Sequence, residues 1–152
     1  CLRKIDAKSY MLATKLVKQE RLKLAKHAGE KFLVDNSSKG GVEVTASGLQ
    51  YKVLQAGAGN SPQLSSQVTV HYHGTLICGT VFDSSVERGT PSSFTVNKVI
   101  EGWKEGIQLM SAGAKFQFFI PQNLAYGERG TETTVPPFAT LIFEVELLAI
   151  EA

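Results

Sequence analysis

Gln67-Val68-Thr69-Val70-His71-Tyr72-His73-Gly74-Thr75-Leu76 decides the fold. Val68, Val70 and Tyr72 alternate with Thr69, His71 and His73, the period of a strand with one apolar face. The alternation returns in Thr140–Ile150, where Leu141, Phe143, Val145 and Leu147 point one way, and in Gly48–Gln55, where Leu49, Tyr51 and Val53 face away from Gln50 and Lys52. Ser93–Val96 and Lys115–Ile120 are shorter strand patterns. Clusters of glycine, proline, asparagine and serine separate them. One helix fits between, over Val99–Met110, with Ile100, Trp103, Ile107 and Met110 three or four apart. Many strands and one helix predict an α+β domain, an antiparallel sheet packed on a single helix.

Upstream the pattern changes. From Leu2 to Leu33 there is no proline and one glycine, Gly29, among strong helix formers. The apolar positions (Leu2, Ile5, Leu12, Leu16, then Val17, Leu24, Ala28, Phe32) form a narrow, drifting stripe. Such a helix would reach about 45 Å at 1.5 Å per residue, needs a partner or stands in solvent, and is expected to be firmest near Phe32 and Leu33 and to fray near Cys1. Asn36-Ser37-Ser38-Lys39-Gly40-Gly41 reads as helix exit and linker.

Charge marks the same division. Residues 1–33 carry nine basic and three acidic side chains, the remainder seven and eleven, so +6 faces −4 within a net +2 for 152 residues. The small total excludes a strongly basic nucleic-acid binder. No apolar run approaches the roughly 18 residues of a membrane helix. Two cysteines cannot build a disulfide scaffold. The chain begins at Cys1 without a methionine and reads as processed or trimmed. A lipid on Cys1 would anchor it, but Leu2-Arg3-Lys4 resembles the middle of a helix more than a lipidation site.

Reactive constellations are few. His71 and His73 share a strand face, but no third histidine or cysteine cluster joins them, so hydrogen-bonded strand histidines are expected over a zinc site. Gly57-Ala58-Gly59-Asn60-Ser61-Pro62 has the glycines of a phosphate loop, but Pro62 blocks the helix such a loop must open, and a turn is expected. Ser84 and Ser85 lack a nucleophile-elbow setting. What remains is aromatic: Tyr72, Phe82, Phe94, Trp103, Tyr126 and Phe143, with Asp83 and Arg88 beside them. Singly each suits a core; together they suggest an apolar cleft with a polar edge.

Five motifs in order now resemble one family: Val70-His71-Tyr72-His73-Gly74-Thr75-Leu76; Gly79-Thr80-Val81-Phe82-Asp83-Ser84-Ser85; Val99-Ile100-Glu101-Gly102-Trp103; Leu124-Ala125-Tyr126-Gly127; and Val135-Pro136-Pro137-Phe138 running on to Leu148. Over roughly residues 45–151 they resemble the tacrolimus-binding (FKBP) family of peptidyl-prolyl cis/trans isomerases. Gly29-Glu30-Lys31-Phe32-Leu33 followed by Ser47-Gly48-Leu49-Gln50-Tyr51 further resembles its bacterial macrophage-infectivity-potentiator type.

The resemblance implies a curved antiparallel sheet wrapped around one short helix, preceded by a long N-terminal helix. Residues 1–40 would be a long basic helix and linker, the remnant of a dimerisation region, and residues 41–152 the isomerase domain. Trp103 would floor the pocket, with Tyr72, Phe82, Phe94, Val99, Ile100, Val135 and Phe143 as walls or binding contacts. Tyr126 would offer its hydroxyl to the substrate backbone, the Ile100 N–H would bind a carbonyl, and Asp83 would sit at the rim, held by Tyr72 and Arg88. Tyr72, Asp83 and Tyr126 are the implied catalytic residues, with no metal and no cofactor. Ser92 stands where the family's small members have an aromatic, and Thr131 where they have a histidine, so the wall near Ser92 should be more open. Implied partners are proline-containing peptides and unfolded clients, with tacrolimus and rapamycin as inhibitors and a homodimer in the full-length form; a monomer is open for this chain, which by the resemblance would lack the first intertwining helices. The implied location is the bacterial periplasm, outer membrane or cell surface, with the cytoplasm as alternative. Two other classes stay open: a non-catalytic module that holds unfolded chains, and an interaction protein built around the basic helix.

Overall fold

Strand β3 (Gln67–Leu76) is the centre of the sheet, and its buried positions are the alternating Val68, Val70, Tyr72 and Gly74. A computed structural model describes residues 7–131 and 134–151, with side chains from residue 15 onward. Cys1, its lipidation and the fraying of the first residues lie outside the described residues. Along one edge of β3 runs β7 (Leu141–Glu151), antiparallel over ten register positions from Gln67↔Glu151 to Leu76↔Leu141. A bulge between Thr69 and Val70 restores the side-chain phase, so Leu141, Phe143, Val145 and Leu147 share the buried face with Val70 and Tyr72. Outward from β7 follow β6 (Lys115–Ile120), β2 (Gln50–Gln55) and β1 (Val42–Val44), all antiparallel. β4 (Val81–Ser84) and β5 (Ser92–Thr95) share the other edge of β3, at His73–Thr75 and Gln67–Val70 respectively. The strand expected at Ser93–Val96 is thus shifted by one residue; β1 and β4 are too short to show a period.

Helix α3 (Glu101–Gln108) lies against the concave face. It is shorter than the expected Val99–Met110 because Val96–Lys98 forms a 3₁₀ turn and Val99 is extended, with φ −118 and ψ 177. Gly102, Trp103, Gly106 and Ile107 are its buried residues. The glycines permit the close approach: a Cβ on Gly102 would meet Ile120 at 2.6 Å, and one on Gly106 would meet Phe118 at 2.6 Å. Trp103 and Ile107 thereby join Val68, Val70, Phe118, Leu141 and Val145 in one core.

The N-terminal helix α1 spans Ala7–Ser37. As the narrow stripe predicts, most of its described side chains are exposed, including Leu16, Val17, Leu24 and Val34. The expected linker is a correction. Asn36 belongs to the last helical turn and is only 2% exposed, because its amide donates to Gln50 Oε1 at 2.8 Å. Gln50 in turn donates to the Leu33 carbonyl at 2.7 Å, and Phe32 packs on Phe119 with ring centroids 6.1 Å apart. Higher up the helix, Gly29 abuts Thr140 and Lys26 Nζ lies 5.6 Å from the Phe138 ring centre. A tight turn follows, with Lys39 N–H on Asn36 O and Val42 N–H on Lys39 O.

Candidate active site

A short stretch of chain builds the site floor. The Ile100 carbonyl caps α3 by accepting from Trp103 and Lys104 N–H, both at 3.0 Å, and sets the indole of Trp103 inward at 5% exposure. Three rings close on that indole. Tyr72 and Phe143 meet it edge-on at 5.1 and 5.0 Å, both at 80°, and Phe94 lies 5.5 Å away, tilted by 43°. Edge-to-face aromatic packing is directional and holds these rings in place. Because β3 and β7 are adjacent, Tyr72 and Phe143 also meet each other at 6.2 Å. The result is a cleft of about 530 Å³ over Trp103, lined also by Val99, Ile100, Tyr126 and Asp83.

The polar edge is one network. Tyr72 Oη donates to Asp83 Oδ2 at 2.8 Å and accepts from Arg88 Nη2 at 2.8 Å, while Arg88 Nη1 binds Asp83 Oδ1. α2 (Ser85–Arg88) presents Arg88, and its start is capped by the Ser84 hydroxyl, which accepts from the Glu87 N–H at 3.1 Å. Asp83 and Arg88 remain about half exposed, so their pairing orients more than it stabilises. Burial pushes the Tyr72 phenol up, with Arg88 opposing and Asp83 adding to the rise. Tyr126 is likewise raised, first by burial and then by the negative charge of Asp83. Both phenols thus stay hydroxyl donors at neutral pH. Tyr72 and Asp83 hold Arg88 still more firmly protonated than usual. The indole Nε1–H of Trp103 is buried without a partner among the described residues.

Of the residues named from sequence, Tyr72, Asp83, Phe94, Val99, Ile100, Trp103, Tyr126 and Phe143 border the cleft. Three stand back from it. Phe82 supports Phe143 edge-on at 5.3 Å, Arg88 acts on Tyr72 and Asp83 from the rim, and Val135 is buried in the core at 2% exposure. Ser92 borders the cleft too, so a small polar group stands at that wall. Lys98 also borders it and was missed; the only signal was its place just before Val99-Ile100. The Ile100 N–H has no partner among the described residues and is free to donate. Thr131 bonds within its own loop: its Oγ1 accepts from the N–H groups of Thr134 and Val135, at 3.1 and 2.7 Å.

His71 and His73 lie on the opposite, convex face, bonded through Nδ1 to Ser85 and Ser84 respectively. Among the described residues no group of three or more side chains could hold a metal ion. Ser85 is fully buried and bonded to the Tyr72 backbone, which rules it out as a nucleophile.

Residues 59–148 match the family described as FKBP-type peptidyl-prolyl cis-trans isomerase, and residues 3–53 match the domain amino terminal to it. The chain is 52% identical over 134 residues to the FKBP-type 22 kDa peptidyl-prolyl cis-trans isomerase of Escherichia coli K12, covering 88% of this chain and 65% of that protein. It is 48% identical over 126 residues to the outer membrane protein MIP of Legionella longbeachae, covering 83% and 54%. The crystal structure of FkpA from Escherichia coli superposes with a TM-score of 0.82 at 34% identity, over 97% of this chain and 74% of that one. The chain thus spans between about half and two thirds of the length of these two sequence relatives.

Proposed function

The chain belongs to the FKBP-type peptidyl-prolyl cis-trans isomerase family, and from that premise we propose that its aromatic cleft accelerates rotation about X–Pro bonds in peptides and unfolded proteins. The observation that carries this is the buried Trp103 floor walled edge-on by Tyr72 and Phe143. Prolyl rotation is slow because amide resonance must be broken, at about 20 kcal/mol. No bond is made or cleaved, so no nucleophile, metal or cofactor is required. The twisted amide has lost conjugation, and a dry pocket that grips the proline ring suits it better than water does. A thousandfold gain needs only about 4 kcal/mol.

Trp103 takes the ring, with Phe94, Val99, Ile100 and Phe143 excluding water. The Ile100 N–H holds a substrate carbonyl, and Tyr126 offers its phenol to the substrate backbone. Asp83, fixed by Tyr72 and Arg88, faces the rotating carbonyl from the rim. Phe82 and Val135 act from behind the walls. Tacrolimus and rapamycin occupy the same cleft and inhibit.

The division is chemical: residues 41–152 carry the isomerase site, and the described side chains of residues 1–40 supply none of the cleft lining. The arm's outer half, with Leu16, Val17 and Leu24 exposed, serves a homodimer in the full-length protein and helps hold large clients in a chaperone-like manner. The Legionella relative's name, an outer membrane protein, supports a place in the bacterial envelope. The test is cis/trans exchange of a peptide with an apolar residue before proline, with and without tacrolimus. A folded protein that leaves the spontaneous rate unchanged would reduce the cleft to a binding module.

A further inference from the structure

β4 and β5 leave a gap on the edge of β3. β5 pairs with Gln67 to Val70 and β4 with His73 to Thr75, so His71 and Tyr72 face no strand there. Tyr72 is buried, and a buried backbone group without a partner is costly. The Ser85 hydroxyl fills the gap. It accepts from the Tyr72 N–H at 2.7 Å and lies 3.2 Å from the Tyr72 carbonyl. It also meets His71 Nδ1 at 2.5 Å. The neighbouring Ser84 hydroxyl reaches His73 Nδ1 at 2.8 Å and the same Tyr72 carbonyl at 3.4 Å, while capping the helix that presents Arg88.

We propose that Ser85 and His71 are positioning residues for Tyr72, and that His71 makes their hold on the cleft sensitive to pH. The inference rests on the isomerase reading above. A serine hydroxyl has one proton. With the Tyr72 N–H already donated to it, that proton goes either to His71 Nδ1 or to the Tyr72 carbonyl. A neutral imidazole with a free Nδ1 takes it. A protonated imidazole becomes a donor itself, and the serine proton must turn to the carbonyl. Closing the 3.2 Å gap to an ordinary O–H···O length of about 2.8 Å draws the Tyr72 backbone toward α2. Its phenol then leaves the position in which it meets Asp83 and Arg88, so turnover falls as pH falls. The convex groove is polar: His71 stands opposite Glu146 and His73 opposite Glu144 on β7, with Lys115 of β6 beside them and Val86 of α2 at its end.

The experiment compares kcat and kcat/KM for a prolyl tetrapeptide from pH 8 to pH 5 in wild type, His71→Asn and Ser85→Ala, with folding followed by circular dichroism. Asparagine places a hydrogen-bonding atom near the position of Nδ1 but does not titrate. The expected result is a decline of twofold or more in wild type as pH falls from 8 to 5. His71→Asn keeps at least half the activity at pH 8 and loses that decline. Ser85→Ala loses tenfold or more in kcat if it folds. Parallel profiles for wild type and His71→Asn overturn the inference, as does a folded Ser85→Ala with full kcat. An inactive wild type would instead overturn the isomerase reading, so the two failures are distinct.

Discussion

Two helices in one chain behave oppositely. α1 has 31 residues, and most of its described side chains are exposed; α3 has eight, and half of them are buried. The long one has the better helix-forming composition, yet the short one, with two glycines, holds the floor of the cleft. Intrinsic propensity therefore says little about where stability lies. What fixes α3 is the sheet wrapped around it. Among its described side chains, what fixes α1 is its C-terminal part, from Lys26 over Phe138 and Gly29 against Thr140 to Phe32 on Phe119 and Asn36 on Gln50. Function follows the same line: α3 sits beneath the cleft, and the described side chains of α1 supply none of its lining.

The largest expected effect is at the floor. Trp103→Ala should destabilise by about 3–5 kcal/mol and abolish measurable isomerisation, read by urea melts and peptide exchange. An active, stable variant would erase the contrast between the helices.

Truncation sharpens it next. Removing residues 1–21 should change stability by no more than about 0.5 kcal/mol, because side chains 15–21 are exposed. Removing residues 1–40 strips Gln50 of both its partners and uncovers Phe119. Each lost hydrogen bond is worth about 0.5–1.5 kcal/mol net, and the apolar contact of Phe32 with Phe119 goes with them, so the melt should fall visibly. Tetrapeptide kcat/KM should stay within twofold wherever the remainder is folded. Equal melts for the two truncations would show that the arm is not docked.

Smaller effects belong to the rim. Asp83→Ala and Tyr126→Phe should each keep the fold and lose about 1–3 kcal/mol of transition-state stabilisation, the scale of one buried hydrogen bond, measured as kcat/KM. The smallest concerns alkaline pH. Tyr72 has a folded pKa above its ordinary 10.0, so the unfolded chain releases that proton first. Its contribution to stability is complete below pH 10 and is lost as pH rises above it. Tyr72→Phe should flatten the alkaline part of the stability curve.

The sheet's centre was legible because β3 and β7 are long enough to repeat. Alternation from Gln67 to Gly74 and from Leu141 to Leu147 leaves no helical alternative. The three or four residues of β1 and β4 carry no period, so only the structure reveals them. Most of the cleft was named because its aromatics cluster in motifs; Lys98 escaped because a lysine at a turn reads as surface. The docked end of α1 was legible at Phe32, which packs on Phe119. Its other anchors were hidden, because they depend on single residues, Gly29 against Thr140 and Asn36 on Gln50, which follow no stripe. The serine and histidine pairs behind Tyr72 were equally hidden, since their partners lie 11 to 14 positions apart and meet only when β4 ends short.

One measurement bears most directly on the claim that catalysis resides in the cleft over α3 and not in the arm. Exchange NMR on a tetrapeptide with leucine before proline, run with wild type, the 1–21 truncation and each with saturating tacrolimus, reads the rate and the site together. The account predicts acceleration of about a hundredfold or more in both proteins, and return to the spontaneous rate once tacrolimus fills the cleft. Acceleration that disappears with the arm, or that survives saturating tacrolimus, would contradict it.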